Sequence, residues 1–300
     1  EDSAHNRPVL PRREWESLES SIASIASDSG VLHLIVGAAG TGRTVSLDHV
    51  DLVARGLGIR VLRANARSGV GQRLKLVHDL LRSLLCIVES EQRDALLEKT
   101  ARRRLGELFG RGSPSVEFFL SQLLGQELEP EDSPTQQYRW YRLIASLTQS
   151  VPCVALVDDL EHADPASLEL LLAILERCHE EHIPFAVVGT MAELPSHGRA
   201  EPTVLDRLVA PRPRLQRTVM TSITAEEIDA LLALRYPGSN HLDYSPGLAD
   251  AIHTRSGGHL GMIEEMIEAL SRNVDGRQGF FRLIGTSWSV RPEVTPHALL

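Results

Sequence analysis

The sequence predicts an α/β protein built on a mostly parallel sheet, with a helical insertion and a helical C-terminal region. Three observations predict it. An apolar run at Val31–Val36 enters a glycine-rich turn and then a helical stretch. A second apolar run, residues 154–157, ends in two aspartates. Apolar residues recur at helical spacing through long stretches between and after these strands.

Residues 1–30 form an expected entry helix around Trp15, Leu18, Ile22 and Ile25. The first strand then runs into Gly37-Ala38-Ala39-Gly40-Thr41-Gly42-Arg43-Thr44. This is the spacing of a phosphate-binding loop, G-x-x-x-x-G-K-S/T, with arginine in place of lysine. In that pattern the glycines let backbone N–H groups curl around phosphate oxygens. The lysine reaches the β- and γ-phosphates, and the hydroxyl meets Mg²⁺. Residues 44–55 follow as a helix, with Val45, Leu47, Val50, Leu52 and Val53 available to face a sheet. Its N-terminus adds N–H donors and the positive end of a dipole. Strand, loop and helix in this order predict a P-loop NTPase fold; the alternative is a purely structural turn.

Arg43 frames the chemistry. Guanidinium is a broad planar fork, whereas lysine is a compact charge on a thin stem, so Arg43 pairs with phosphate without filling the same volume. Either it is a tolerated cation that still contacts phosphate, or the loop hydrolyses nucleotide poorly or not at all.

Residues 58–63 read as the second strand, after the Gly56-Leu57-Gly58 turn. A helical insertion over about residues 67–150 follows. Leu74, Leu76, Val77, Leu80, Leu81, Leu84 and Leu85 share one helical face, and further amphipathic runs lie near 91–108, 115–127 and 135–149. Core packing explains these stripes better than a partner helix does. Pro114 and the segment 129–134 mark breaks.

Residues 154–159 describe a buried parallel strand that delivers Asp158 and Asp159 at its C-terminal edge, where ligands sit in open α/β sheets. In a Walker B element Asp158 holds the Mg²⁺ shell with Thr44, and Asp159 orients or deprotonates the attacking water. The alternative is a strand-end aspartate that caps the next element. Asp164 reads as a helix N-cap, with Pro165 at the first helical position. Cys178-His179-Glu180-Glu181-His182 lacks the H-E-x-x-H spacing of a metal site. Residues 184–190 form the next expected strand. Thr190 either faces the γ-phosphate region or bonds the neighbouring loop. The loop 194–214 offers Arg207, Arg212 and Arg214 as trans-acting candidates, with surface placement as the default. A strand at 215–220 precedes a capping box at Thr224-Ala225-Glu226-Glu227.

The composition, 300 residues with 42% hydrophobic, allows a substantial core. No apolar run approaches a membrane span and no signal peptide opens the sequence, so a cytoplasmic location is expected. Without an initiator Met, the chain is expected to be a processed product or an excised segment. Cys86, Cys153 and Cys178 are scattered, as buried reduced thiols would be. A net charge of −9 argues against this segment gripping DNA. Arg102-Arg103-Arg104, interspersed with Glu98 and Glu107, reads as a solvated helix face.

The stretch CVALVDDLEHADPASLELLLAIL resembles the signature of the signal-transduction ATPases in large bacterial LuxR-type and antibiotic-regulatory transcription activators, within the AAA/STAND group. RREWESLESSI resembles their opening G-R-E-x-E-L element, with Arg12 in the glycine's place and Arg13, Glu14 and Glu16 matching. FAVVGTMAELP resembles the sensor strand, and SGGHLGMIEEMIEAL the T-G-G-N-P helix of the lid. The chain departs from the pattern at Arg43, at Ala192 for the sensor arginine, at His259-Leu260 for the N-P pair, and at His162 for a tryptophan. These departures bear on hydrolysis more than on fold.

The resemblance implies a P-loop domain over 1–222, a helical lid over 223–275 and a linker over 276–300 towards a following domain. His259 falls where such a lid approaches nucleotide; the alternative is a structural histidine. The expected ligands are ATP or ADP with Mg²⁺. The expected function is a nucleotide-responsive switch of a multidomain transcriptional regulator, a slow ATPase at most. DNA would be contacted only through a domain outside this chain, with self-association and an unidentified effector as further partners. The alternatives are a non-hydrolysing scaffold and, third, an active ATP-dependent remodeller.

Overall fold

The computed structural model describes residues 12–25, 29–69, 73–85, 94–124, 133–192, 204–210, 214–236, 247–270, 281–284 and 287–290. They separate into two compact units. Of the described residues, those within Ser17–Val36 and Thr44–Thr218 form one; Arg12–Glu16, Gly37–Arg43 and those from Val219 onward form the other.

The first unit holds a five-stranded sheet. Its strands are β1 (Val31–Val36), β2 (Arg60–Asn65), β3 (Cys153–Asp158), β4 (Phe185–Met191) and β5 (Leu215–Val219), in the order β2-β3-β4-β1-β5. The pairs β2–β3, β3–β4 and β1–β4 are parallel. Every residue of β3 and β4 is buried, as parallel strands covered on both faces require. The register sets Asn65 beside Asp158 and Ile35 beside Thr190, so the strand ends share one edge of the sheet.

Helix α1 (Arg13–Ser24) buries Leu18, Ile22 and Ile25. Helix α2 (Arg43–Gly56) buries Ser46, Leu47, Val50 and Ala54, whereas Leu52, expected to face the sheet, is 65% exposed. The helical period explains this correction: a face centred on 47, 50 and 54 turns 52 outward. The strand β2 begins two residues later than expected. The N–H groups of Leu57, Gly58 and Ile59 bond the carbonyls of Val53, Arg55 and Ala54, so these residues end α2 and cannot enter a strand.

The insertion contains α3 (Lys75–Leu84), α4 (Asp94–Phe109), α5 (Pro114–Leu123) and α6 (Ser133–Leu147). Their apolar stripes join one core with α7 (Pro165–Glu180) and with Leu32, Leu34, Leu62, Ala155 and Val157 of the sheet. Phe119 stacks on Phe109 at 5.6 Å and meets Phe118 and Trp140 edge-on at 5.0 Å, tying α4, α5 and α6 together. Ser113 caps α5 with Pro114 in its first turn. Asp164 caps α7 as expected, accepting from the Ser167 N–H at 2.9 Å, and also accepts from the Leu74 N–H at 3.0 Å. Within the expected 194–214 loop lies a short helix, α8 (Val204–Val209), with Leu208 buried. Burial raises the thiols of Cys153 and Cys178 to about 12, so both are unreactive; Cys86 lies outside the described residues. Arg102 pairs with Glu98 and Glu117 on an exposed helix face.

In the other unit, α9 (Ala225–Arg235), α10 (Leu248–Ser256) and α11 (Leu260–Ala269) bury Ile228, Leu232, Ile252, Ile263 and Ile267. Thr224 and Glu227 form the expected capping box on α9. The Tyr236 hydroxyl donates to the Ile267 carbonyl at 2.7 Å. An antiparallel ribbon, β6 (Phe281–Ile284) with β7 (Ser287–Val290), follows; the glycine-first pair Gly285-Thr286 between them is a hairpin signal that the sequence analysis left unused. Among the described residues no helix is long and apolar enough to cross a membrane, and no cluster of three metal-ligand side chains occurs.

His33 sits on β1 at 3% exposure, with Nδ1 3.1 Å from Gln216 Oε1 and Nε2 2.8 Å from Thr218 Oγ1. Burial lowers its pKa from 6.5 to about 4, against a smaller upward pull from Gln216. The folded protein therefore prefers neutral His33, and its contribution is intact above pH 6.5. The unfolded chain takes up the proton first, so stability falls as pH drops from 6.5 to about 4. The total loss is about 3 kcal/mol. Urea unfolding across this range should show the fall, and His33→Gln should flatten it.

Candidate functional site

The glycine loop belongs to the unit that contains α9 to α11. Gly40 and Gly42 have φ of +82° and +89°, where a side chain would be strained. A Cβ on Gly37 would lie 2.6 Å from Thr41 Oγ1, so only glycine lets that hydroxyl fold back to the Ala38 carbonyl at 2.9 Å. A Cβ on Gly40 would lie 2.0 Å from the His259 ring. The Gly40 carbonyl accepts from the Leu260 N–H at 2.8 Å, and the Thr41 carbonyl from Arg12 Nη1 at 2.5 Å. His259 caps α11, with Nδ1 accepting from the Met262 N–H at 3.5 Å. It is exposed and lies against the loop. Ala38 and Ala39 are exposed and Arg43 is half-buried at the start of α2. The Gly40 and Thr41 carbonyls are taken by donors outside the loop and the Ala38 carbonyl by Thr41, which turns the N–H groups of those peptides the opposite way, beside the exposed Ala38 and Ala39. That fits a phosphate.

The acidic residues belong to the sheet unit. Asp158, 9% exposed, accepts at Oδ2 from Thr44 Oγ1 at 3.0 Å and at Oδ1 from the Thr190 hydroxyl. The Thr190 oxygen in turn accepts from the Asp159 N–H at 2.8 Å. Thr190 is fully buried and bonds both aspartates, the strand-end alternative anticipated for it. The residues Thr44, Asp158, Asp159 and Thr190 thus form one hydrogen-bonded cluster. Octahedral Mg²⁺ with bonds of about 2.1 Å places adjacent oxygens about 3 Å apart, so Thr44 Oγ1 and Asp158 Oδ2 fit this ion.

Asp159 takes a left-handed backbone conformation, φ 55° and ψ 48°. Arg67 reaches it with Nε 3.2 Å from Oδ2, while Arg67 Nη2 lies 3.2 Å from His162 Nε2. Glu161 accepts from the Ala192 N–H at 2.8 Å, bridging the acidic turn to the end of β4. Arg67 and Glu161 escaped the sequence analysis. A signal existed for Arg67: it follows β2, whose end lies beside Asp158 once the parallel register is known. Arg214 donates to the Ser29 carbonyl at 2.7 Å, Arg207 lies 3.7 Å from Glu169, and Arg212 is outside the described residues.

The cluster generates a prediction. Thr190→Val keeps the shape but leaves Asp158 Oδ1 without its hydroxyl and the Asp159 N–H without its acceptor. Stability should fall by about 1–3 kcal/mol. Urea unfolding measures this; an unchanged midpoint would show that the hydroxyl is dispensable.

No curated protein matches the chain. Among solved structures, it is similar to a Walker-type ATPase of Pyrococcus abyssi, at 14% identity and a TM-score of 0.49, over 90% of this chain and 72% of that one. It is also similar to two variants of RuvB from Thermotoga maritima, each at 14% identity, a TM-score of 0.43 and 88% of this chain. The chain spans only 64% and 65% of those RuvB chains. The model of the AAA ATPase domain matches residues 9–188. That match covers more than half of the sequence and includes the glycine loop and both aspartates, so the protein belongs to the AAA ATPase domain family.

Proposed function

We propose that this chain is a nucleotide-binding switch module, taking ATP or ADP with Mg²⁺ and hydrolysing ATP slowly, within a multidomain bacterial transcriptional regulator of the LuxR or STAND kind. One observation carries the proposal: the hydroxyl that closes the glycine loop, Thr44, bonds the buried carboxylate that ends β3. A purely structural glycine turn has no need of that pair.

Each residue has a definite task. The N–H groups of residues 38–43 bind and orient phosphate oxygens. Arg43 adds charge at the same oxygens. Thr44 and Asp158 are the pair that would hold Mg²⁺, which when bound neutralises charge between the β- and γ-phosphates. Thr190 fixes both aspartates, and Asp159 orients or deprotonates the attacking water. In the cytoplasm, DNA contact would fall to a domain outside this chain, because a net charge of −9 opposes it here. Self-association and an unidentified effector complete the proposed partners.

A second class of function, a non-hydrolysing scaffold for self-association or effector docking, draws support from Arg43 and from the Arg67 guanidinium on Asp159. Single-turnover hydrolysis at matched nucleotide occupancy separates the two, using the natural chain, Arg43→Lys and Asp159→Asn. A displaced cation keeps ground-state attraction but loses transition-state stabilisation. A loss of about 3 kcal/mol slows chemistry by about two orders of magnitude. The natural chain should bind ATP and release phosphate slowly. Arg43→Lys should raise release partially, since Ala192 leaves no sensor arginine, with little change in affinity; Asp159→Asn should abolish it. Brisk hydrolysis that falls on Arg43→Lys would make Arg43 the functional cation. Failure to bind millimolar ATP would favour the scaffold.

A further inference from the structure

Arg12 stands where the resembled family has glycine, yet its side chain is only 2% exposed. A buried guanidinium is costly unless its donors are met. Here Nη1 donates to the Thr41 carbonyl at 2.5 Å. Nη2 donates to the Thr221 carbonyl at 2.8 Å and to Glu14 Oε1 at 3.0 Å, and lies 3.4 Å from Thr221 Oγ1. Nε lies 3.4 Å from Glu227 Oε1 without the alignment of a hydrogen bond. The other oxygen of Glu227 accepts from the Thr224 N–H at 2.8 Å, closing the capping box of α9. One side chain therefore joins the phosphate loop, the segment after β5 and the first turn of α9.

The peptide geometry gives this joint a consequence. In a trans peptide the C=O and the following N–H point in opposite directions. A Thr41 carbonyl held by Arg12 forces the Gly42 N–H to face away from Arg12, and φ of +89° at Gly42 accommodates that turn. When that N–H donates to an anion, the same peptide's carbonyl becomes a stronger acceptor. Its acceptor bond is the one to Arg12.

We infer that Arg12 is a positioning residue with two linked tasks: it aims the Gly42 N–H at the bound phosphate, and it transmits phosphate occupancy to the first turn of α9 through Glu227. This rests on the proposal that the loop binds nucleotide. Anion binding at Gly42 strengthens the Arg12–Thr41 bond, which restrains the guanidinium and, with it, the capping box. Glycine at position 12, as in the resembled pattern, would have no side chain to make this joint.

The test combines ADP titration with hydrogen exchange of α9 at saturating ADP, on the natural chain, Arg12→Lys and Glu227→Gln. Lysine reaches the Thr41 carbonyl with one donor but cannot hold Thr221 and Glu227 as well. Glutamine keeps an oxygen for the capping box and removes the charge beside Nε. In the natural chain ADP should bind and slow exchange in residues 225–235. Arg12→Lys should weaken ADP about ten-fold and lose that protection even at saturation. Glu227→Gln should weaken ADP less than Arg12→Lys does, yet also lose the protection. If Arg12→Lys does not fold, Glu227→Gln decides alone: protection that persists overturns the inference. Unchanged affinity and protection in folded Arg12→Lys overturns it too. No ADP binding by the natural chain overturns the nucleotide proposal itself, and the inference with it.

Discussion

The site depends on how one carboxylate is held at the buried end of a central strand. Asp158 is too enclosed to rely on water, and a buried carboxylate costs several kcal/mol unless its oxygens are met. Thr44 meets one oxygen and Thr190 the other. The strand order serves that need: β4 lies against β3, which brings Thr190 to Asp158. Because Thr190 also accepts from the Asp159 N–H, the same hydroxyl fixes the turn that presents the second aspartate.

Local chemistry made much of this legible in the sequence. The glycine loop, the Asp164 and Pro165 start of α7, and the Thr224–Glu227 capping box each signal through residues within a few positions of one another. The strand ending in Asp158 was legible because burial on both faces leaves a continuous apolar run. What escaped was set by tertiary structure. The start of β2 was misplaced because residues 57–59 spend their N–H groups ending α2. Arg67 was missed because its partner lies far along the chain and is a neighbour only through parallel pairing. Arg12 was visible as a departure from the family pattern, but nothing local indicates that it is buried.

Three arginines, two in the unit of the glycine loop and one in the sheet unit, stand in different physical settings. Arg12 is buried with both terminal nitrogens hydrogen-bonded, so its worth lies in orientation. Arg43 replaces the expected lysine with a wider fork. Arg67 is 61% exposed, so its pair with Asp159 contributes little to stability and acts on the position of the carboxylate. A compact lysine would concentrate charge where a phosphoryl group transfers. The slow hydrolysis proposed above rests on Arg43 standing in place of that lysine.

Titration of the purified chain with labelled ADP and ATP, with and without Mg²⁺, alongside Asp158→Ala, is the most direct test of nucleotide binding through residues 37–44. Saturable binding that Mg²⁺ strengthens, with the strengthening erased in a folded Asp158→Ala protein, is the predicted result. No binding at millimolar nucleotide, or an unchanged Mg²⁺ dependence in the folded variant, would contradict it.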